Sequence, residues 1–147
     1  MATADVRITI ARPLSEVFAY MADYDNNHVW QDGVVSSKQT TAGDPRPGVE
    51  VAYTRQVLGR NVDTTATLVV HEPDARLRVR SSSAAFTYEG GYDFEGDETT
   101  THVHYRGEIT TSRLLGFVGK ALAGKFQTQM ESDLANLKRL MESGQVG

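Results

Sequence analysis

The sequence contains no cysteine, which excludes a disulfide, a thiolate metal site and a cysteine nucleophile. It lacks a basic start followed by a long apolar run, so no secretory signal is visible, and no window approaches a membrane span. A cytoplasmic protein without stable membrane insertion is expected. Positive charge is in the minority: 15 Lys and Arg against 19 Asp and Glu give a formal net charge of −4. That argues against a nucleic-acid backbone as main partner, though not against a local basic patch. No phosphate-cradling glycine loop and no dinucleotide fingerprint occurs. Ser81, Ser82 and Ser83 lack the glycine-flanked pattern of a serine nucleophile, and no histidine–acid partner can be assigned to them. No cofactor is implied, and no catalytic motif stands out.

What is present is a long one-sided helix. Leu115, Val118, Leu122, Phe126, Met130, Leu134, Leu137 and Met141 recur at spacings of three and four, one apolar stripe over Ser112 to Glu142. About thirty residues of helix span ~45 Å. Lys120, Lys125, Asp133 and Arg139 lie off the stripe and are expected to face water. The chain of 147 residues suits one domain, residues 1–147. A domain of that size buries roughly 68–70% of its unfolded surface and needs no staples.

The remainder reads mostly as strands. Val6, Ile8 and Ile10 alternate with polar residues on a first strand. Pro13 suits the first position of a short helix carrying Leu14, Val17, Phe18 and Met21, with Glu16 in its first turn. Asp25-Asn26-Asn27 signals a turn or cap before a second short helix. Val34 to Thr41 is a strand, and Gly43 to Gly48 the strongest loop. Val49, Val51, Tyr53, Arg55 and Val57 then share a face; Gly59-Arg60 fits a two-residue turn with glycine first. Val62, Thr64, Ala66, Leu68 and Val70 share the next face, and Pro73-Asp74 turns the chain again. Leu77 and Val79 point inward, with Arg76, Arg78 and Arg80 outward. Ser81 to Ser83 reads as a loop or frayed strand end. Phe86, Tyr88, Gly90, Tyr92 and Phe94 oppose Glu89, Asp93 and Glu95, and Gly90-Gly91 suggests a bulge or bend. Thr101, Val103, Tyr105, Gly107 and Ile109 form the last inner face, and Thr110, Thr111 and Ser112 offer helix caps. Sequential strands with short turns make an antiparallel meander.

Several stretches together resemble the START-like, or Bet v 1-like, superfamily, and within it the polyketide cyclase/dehydrase and lipid transport group. They are Ile8-Thr9-Ile10-Ala11-Arg12-Pro13 leading into Glu16-Val17-Phe18-Ala19-Tyr20, the Asp23 to Trp30 stretch, Gly48 opening a strand, Glu72-Pro73-Asp74-Ala75-Arg76-Leu77, and Asp133-Leu134-Ala135-Asn136-Leu137-Lys138. The resemblance implies an α+β helix-grip fold. A curved antiparallel sheet of seven strands, two short helices and a long C-terminal helix would enclose a cavity. Members of this group include ligand binders, cyclases and lyases, and a shared fold does not fix a shared function.

The pocket so implied lies between the long helix and the sheet, with Val118 and Leu122 on its helix side and Thr64 on its strand side. Tyr53, Tyr88, Tyr92 and Tyr105 read as inward; their hydroxyls either ring the pocket or are core groups that find a backbone partner or the surface. Arg55 either clamps a ligand carboxylate or phenolate, or lies at the sheet rim or on a flipped register. Trp30 lines the entrance or anchors the short helices. His28 is an acid–base candidate or an exposed loop residue. His102 and His104 share a face, a spacing that can hold metal, but that face is outward and no third ligand is fixed beside it, so no metal is expected. The arginine stripe at 76, 78 and 80 pairs with the acidic stripe if those strands are neighbours. Gly116, Gly119 and Gly124 weaken the first half of the long helix by roughly 1 kcal/mol each relative to alanine, through thinning over the pocket or close packing.

These readings favour a monomer or homodimer that binds a small hydrophobic molecule, polyketide-, aromatic- or lipid-like, as carrier or sensor. The alternative is a cyclase or dehydratase acting on such a molecule by holding it in a reactive shape. A third possibility, a protein-interaction module using a sheet edge or the basic stripe, predicts a filled interior.

Overall fold

The computed structural model describes residues 2–57, 59–82, 86–111 and 116–147, with side chains throughout these except at 57 and 116–123. The chain runs β1 (Ala2–Ile10), α1 (Leu14–Ala22), a 3-10 turn (Tyr24–Asn26), α2 (Asn27–Trp30), β2 (Val34–Gln39), β3 (Glu50–Val57), β4 (Arg60–Glu72), β5 (Arg76–Ser82), β6 (Phe86–Gly96), β7 (Thr101–Thr111) and α3 (Gly116–Glu142). All seven strands join one sheet in the order β1-β7-β6-β5-β4-β3-β2, and every neighbouring pair is antiparallel. Strands β2 to β7 form the meander that short turns dictate. β1 closes on β7 instead, so α1, the 3-10 turn and α2 carry the chain from one sheet edge to the other.

The alternation in β1 works as expected: Ala4, Val6 and Ile10 are buried while Thr3, Asp5, Arg7 and Thr9 are exposed. Phe126, Met130, Leu134, Leu137 and Met141 of α3 are buried against Val6, Ile10, Phe94, Val103 and Tyr105 and against Val17, Phe18 and Met21 of α1. Each such side chain contributes roughly 1.5–3 kcal/mol on full burial. A second apolar cluster gathers Tyr24, Val34, Val49, Val51, Tyr53, Ala66 and Leu68 around β2, β3 and β4. Among the described residues the two clusters do not join.

α3 also seals the free edge of β1. The Gln127 side-chain amide donates to the Asp5 carbonyl and accepts from the Asp5 N–H, both at 2.9 Å. Further along, Glu142 accepts from the Ala11 N–H at 2.8 Å, Lys138 donates to the Thr9 carbonyl, and Arg12 donates to the Met141 carbonyl at 2.6 Å. An edge strand presents unpaired backbone groups; here helix side chains satisfy those of Asp5 and the Thr9 carbonyl.

Several expectations are corrected. Pro13 precedes α1 as its N-cap, with an extended ψ of 141°, rather than opening the helix. Arg60 is already in β4, paired with Val57, so Gly59 (φ 79°) is the second turn residue, not the first. β2 ends at Gln39 rather than Thr41. Ser81 and Ser82 belong to β5, and Ser81 is buried, its hydroxyl donating to the Thr65 carbonyl at 2.8 Å. No bulge occurs at Gly90-Gly91, where both ladders run unbroken. The register shift falls instead between Leu68 and Val70. It sets Val70 across from Arg78 on the outer face and turns His71 inward across from Leu77. Thr110 and Thr111 extend β7 opposite Thr87 and Phe86 instead of serving as helix caps. Asp133 does not face water: it is only 4% exposed. Leu115, Ser112 and Ser83, and the side chain of Lys120, lie outside the described residues.

Candidate functional site

The helix-side face of the sheet is built from cross-strand rows. Arg55 stands between Val34 on β2 and Val62 on β4. Tyr53 stands between Ser37 and Thr64. Val51, Ala66, Ser81, Tyr88 and Ile109 form the next row, and Leu77, Tyr92, Tyr105 and Val6 a later one. Between those two rows Gly90 lies directly across from Gly107. The missing side chains matter. A Cβ at Gly90 would fall 2.3 Å from the Tyr88 hydroxyl, and one at Gly107 would fall 2.1 Å from the Tyr105 hydroxyl. The two phenols therefore lean toward each other over bare backbone, and their hydroxyl oxygens meet at 2.6 Å. Phe126 of α3 closes over both, edge-on at ring centroid distances of 6.3 Å to Tyr88 and 6.4 Å to Tyr105.

The four tyrosines expected inward all lie on this face, but they differ. Tyr105 and Tyr53 are fully buried; Tyr53 accepts a hydrogen bond from the Asn27 side-chain amide at 2.8 Å. Tyr88 and Tyr92 keep part of their surface accessible, yet burial is what raises both phenol pKa values. Burial likewise pushes Tyr53 up to about 12 and Tyr105 well above the ordinary range. All four are neutral hydroxyls near neutral pH, suited to orient a polar atom by hydrogen bonding rather than to carry charge.

Arg55 is half-buried, stacked 4.7 Å from the centroid of the Tyr53 ring. Its charge is felt by Tyr53, by Tyr88 on β6, by Tyr105 on β7 and by Asp133 on α3. Alternation along β3 sets Arg55 on the same face as Tyr53, whose ring it overlies. Asp133 accepts from the Asp32 N–H at 3.0 Å and from the Gln129 side-chain amide at 2.9 Å. Burial nevertheless lifts its carboxyl to about 6, outweighing those bonds and Arg55.

The remaining candidates fall elsewhere. Trp30 is 1% exposed, packed edge-on to Tyr92 at 6.3 Å, with its carbonyl accepting from Asn136. These contacts tie α2 to β6 and α3. Thr64 is half-buried; Val118 and Leu122 are in α3, but their side chains lie outside the described residues. His28 is exposed. On the outer face, His102 bonds Thr9 at 3.0 Å and His104 bonds Asp5 at 2.8 Å. Among the described residues no group of three His, Asp or Glu is arranged to hold a metal. Asp93 gathers Arg76, Arg78 and Arg106 at 3.1, 3.7 and 2.7 Å, and Arg80 meets Glu89 at 3.5 Å. Two open concavities of about 540 and 460 Å³ lie among these paired outer-face charges. Gly124 is exposed, and a Cβ there would meet no described atom within 4 Å, so close packing does not explain it.

Asp133 was legible in principle: it falls three residues after Met130 and four before Leu137, inside the apolar arc. His71 was not, because its inward turn depends on a register shift. Among the described residues its Nδ1 is buried without a hydrogen-bond partner, its ring edge-on to Phe18 at 5.5 Å. The buried Tyr24 hydroxyl and Trp30 ring N–H likewise have no partner among the described residues.

The sequence profile described as polyketide cyclase/dehydrase and lipid transport matches residues 1–142. No curated protein matches the chain. Among solved structures, a protein from Thermus thermophilus aligns at 18% identity, TM-score 0.76, over 93% of this chain and 94% of that one. An aromatase/cyclase from a Streptomyces species aligns at 12% identity, TM-score 0.74, over 97% and 92%. A START superfamily protein from Mycobacterium smegmatis aligns at 13% identity, TM-score 0.73, over 99% and 97%. At these identities the likeness is one of fold. Among the described residues no helix is long and apolar enough to cross a membrane.

Proposed function

The chain belongs to the polyketide cyclase/dehydrase and lipid transport family, and from that premise we propose that it binds a small hydrophobic molecule between the sheet and α3, as carrier or sensor. One observation carries the reading. Tyr88 and Tyr92 sit on the inward face, deep enough for desolvation to dominate their chemistry, yet retain accessible surface. A packed interior leaves few voids larger than a water molecule, and one contiguous core per domain is usual. Partly accessible tyrosines beside two clusters that stay unjoined among the described residues fit a hollow. In this reading Tyr88, Tyr92, Thr64 and Arg55 line it, Val118 and Leu122 roof it, and Tyr53, Tyr105 and Trp30 hold the lining in place. Apolar walls with a few convergent polar groups suit a polyketide-, aromatic- or lipid-like molecule. Native mass spectrometry of freshly purified protein tests it. A small organic adduct, lost on denaturation, is expected; a bare protein mass together with no uptake of a neutral apolar dye would sink the reading.

Asp133 favours a second reading, a cyclase- or dehydratase-type enzyme. A carboxyl titrating near 6 is poised for acid–base work near neutral pH. Arg55 and the Tyr88–Tyr105 pair would stabilise enolate charge in a substrate held in a reactive fold. Release of a chemically altered molecule, abolished in Asp133→Asn while binding persists, separates enzyme from carrier.

A further inference from the structure

We infer that the bound molecule is an acid, held by its ionised carboxylate-like end against Arg55 with its apolar body toward Tyr88, Tyr92 and Phe126. This rests on the hollow proposed above and adds the chemical class of its occupant. The argument begins with a cation that lacks an anion. On the outer face Arg76, Arg78, Arg80 and Arg106 are each matched by Asp93 or Glu89. Among the described residues Arg55 has no carboxylate within 4.0 Å and no hydrogen bond from its guanidinium; its recorded contact is the Tyr53 ring.

An arginine cannot shed its charge, and it carries five donors in a planar fork. Half-burying such a residue on this face, its guanidinium over the Tyr53 ring and without an acceptor, is unfavourable. Asp133 feels the charge from α3, but the two are not ion-paired, and its Oδ1 accepts from the Asp32 N–H and the Gln129 side-chain amide. The geometry that remains open is a bidentate partner arriving with the ligand, since a guanidinium fork matches a carboxylate. The position gives polarity. Arg55 and the exposed Val62 lie toward the β3–β4 hairpin end of the face, whereas Tyr88, Tyr92 and Phe126 lie toward the larger core cluster. The acid end therefore sits nearer the hairpin and the apolar end deeper.

Two fluorescent probes of nearly one shape test this: anilinonaphthalene sulfonate, and phenylnaphthylamine, which lacks the sulfonate. Both are titrated into the wild type, Arg55→Lys and Arg55→Met, with circular dichroism melts to verify folding. The wild type is expected to take both probes competitively. Arg55→Met should weaken the sulfonate probe about tenfold or more and the neutral probe less than about twofold, with Arg55→Lys between. Equal weakening of both probes, or of neither, overturns the acid assignment and leaves the hollow standing. If neither probe enters the wild type, both proposals fall. Should Arg55→Met not fold, displacement of the neutral probe from the wild type decides. Decanoate competing more strongly than decanol supports the inference, and the reverse order overturns it.

Discussion

Two phenols meeting at 2.6 Å over a pair of glycines are the most specific side-chain arrangement in the interior. Tyr88→Phe or Tyr105→Phe strands the surviving hydroxyl, and each should cost about 1–2 kcal/mol in chemical denaturation. The double variant should lose less than the sum, because no hydroxyl is left waiting for a partner. Strict additivity would mean that the bond contributes nothing. At this scale the sequence was informative wherever strand alternation alone decides direction. Tyr53, Tyr88, Tyr92 and Tyr105 were all placed on the correct face by counting in twos. Arg55 was placed there by the same count, although the count cannot tell an interior charge from one at a rim. His71 escaped because one extra residue in β4 reverses every position beyond it.

At the scale of elements, α3 and β1 depend on each other. The helix needs an apolar surface, and the strand needs partners for the backbone groups on its free side. Gln127 supplies one such pair through a single side chain. Gln127→Ala should lower the melting temperature by a few degrees, about 1 kcal/mol for each lost bond. It should also speed hydrogen exchange at the Asp5 amide, while the Ala11 amide, bonded to Glu142, stays protected. Unchanged exchange at Asp5 would show that another group covers the edge. The apolar stripe from Phe126 to Met141 announced α3 and its buried face. Its expected start at Ser112 lies outside the described residues; Thr110 and Thr111 serve equally well as caps or as β-branched strand residues, and pairing with β6 decided for the strand. The sealing of β1 was not readable, because Gln127 and Lys138 look like ordinary surface residues until the partner strand is in place.

The molecule as a whole carries a pH signature. Asp133 has a folded-state pKa of about 6 against an ordinary 3.8, with burial as the main cause. A carboxyl shifted upward favours the fold fully below its unfolded pKa, and that contribution is lost as pH rises through the folded value. The window therefore runs from about 4 to about 6. Asparagine keeps an oxygen for the Asp32 N–H and the Gln129 amide but never ionises. Asp133→Asn should thus melt above the wild type at about pH 8, with the gap closing toward about pH 4. Glu142, bonded by Ala11 and Lys138, is shifted down and contributes with the opposite sign, so the difference between the two melts isolates Asp133. A gap that does not change with pH would refute the assignment. The six-strand meander, its covering helix and the two short helices were legible from periodicity and turns; the separation of the two clusters among the described residues was not, since sequence periodicity marks faces and says nothing of the distance between them. That distance depends partly on atoms that are missing. Gly90 and Gly107 let two aromatic rings lie flat against the strands, so a methyl group at either position would lift a ring off the backbone. On the proposed reading, the bulk of the guest is therefore governed by two positions with nothing to contribute but vacancy, and enlarging them would shrink the room without altering a single lining residue.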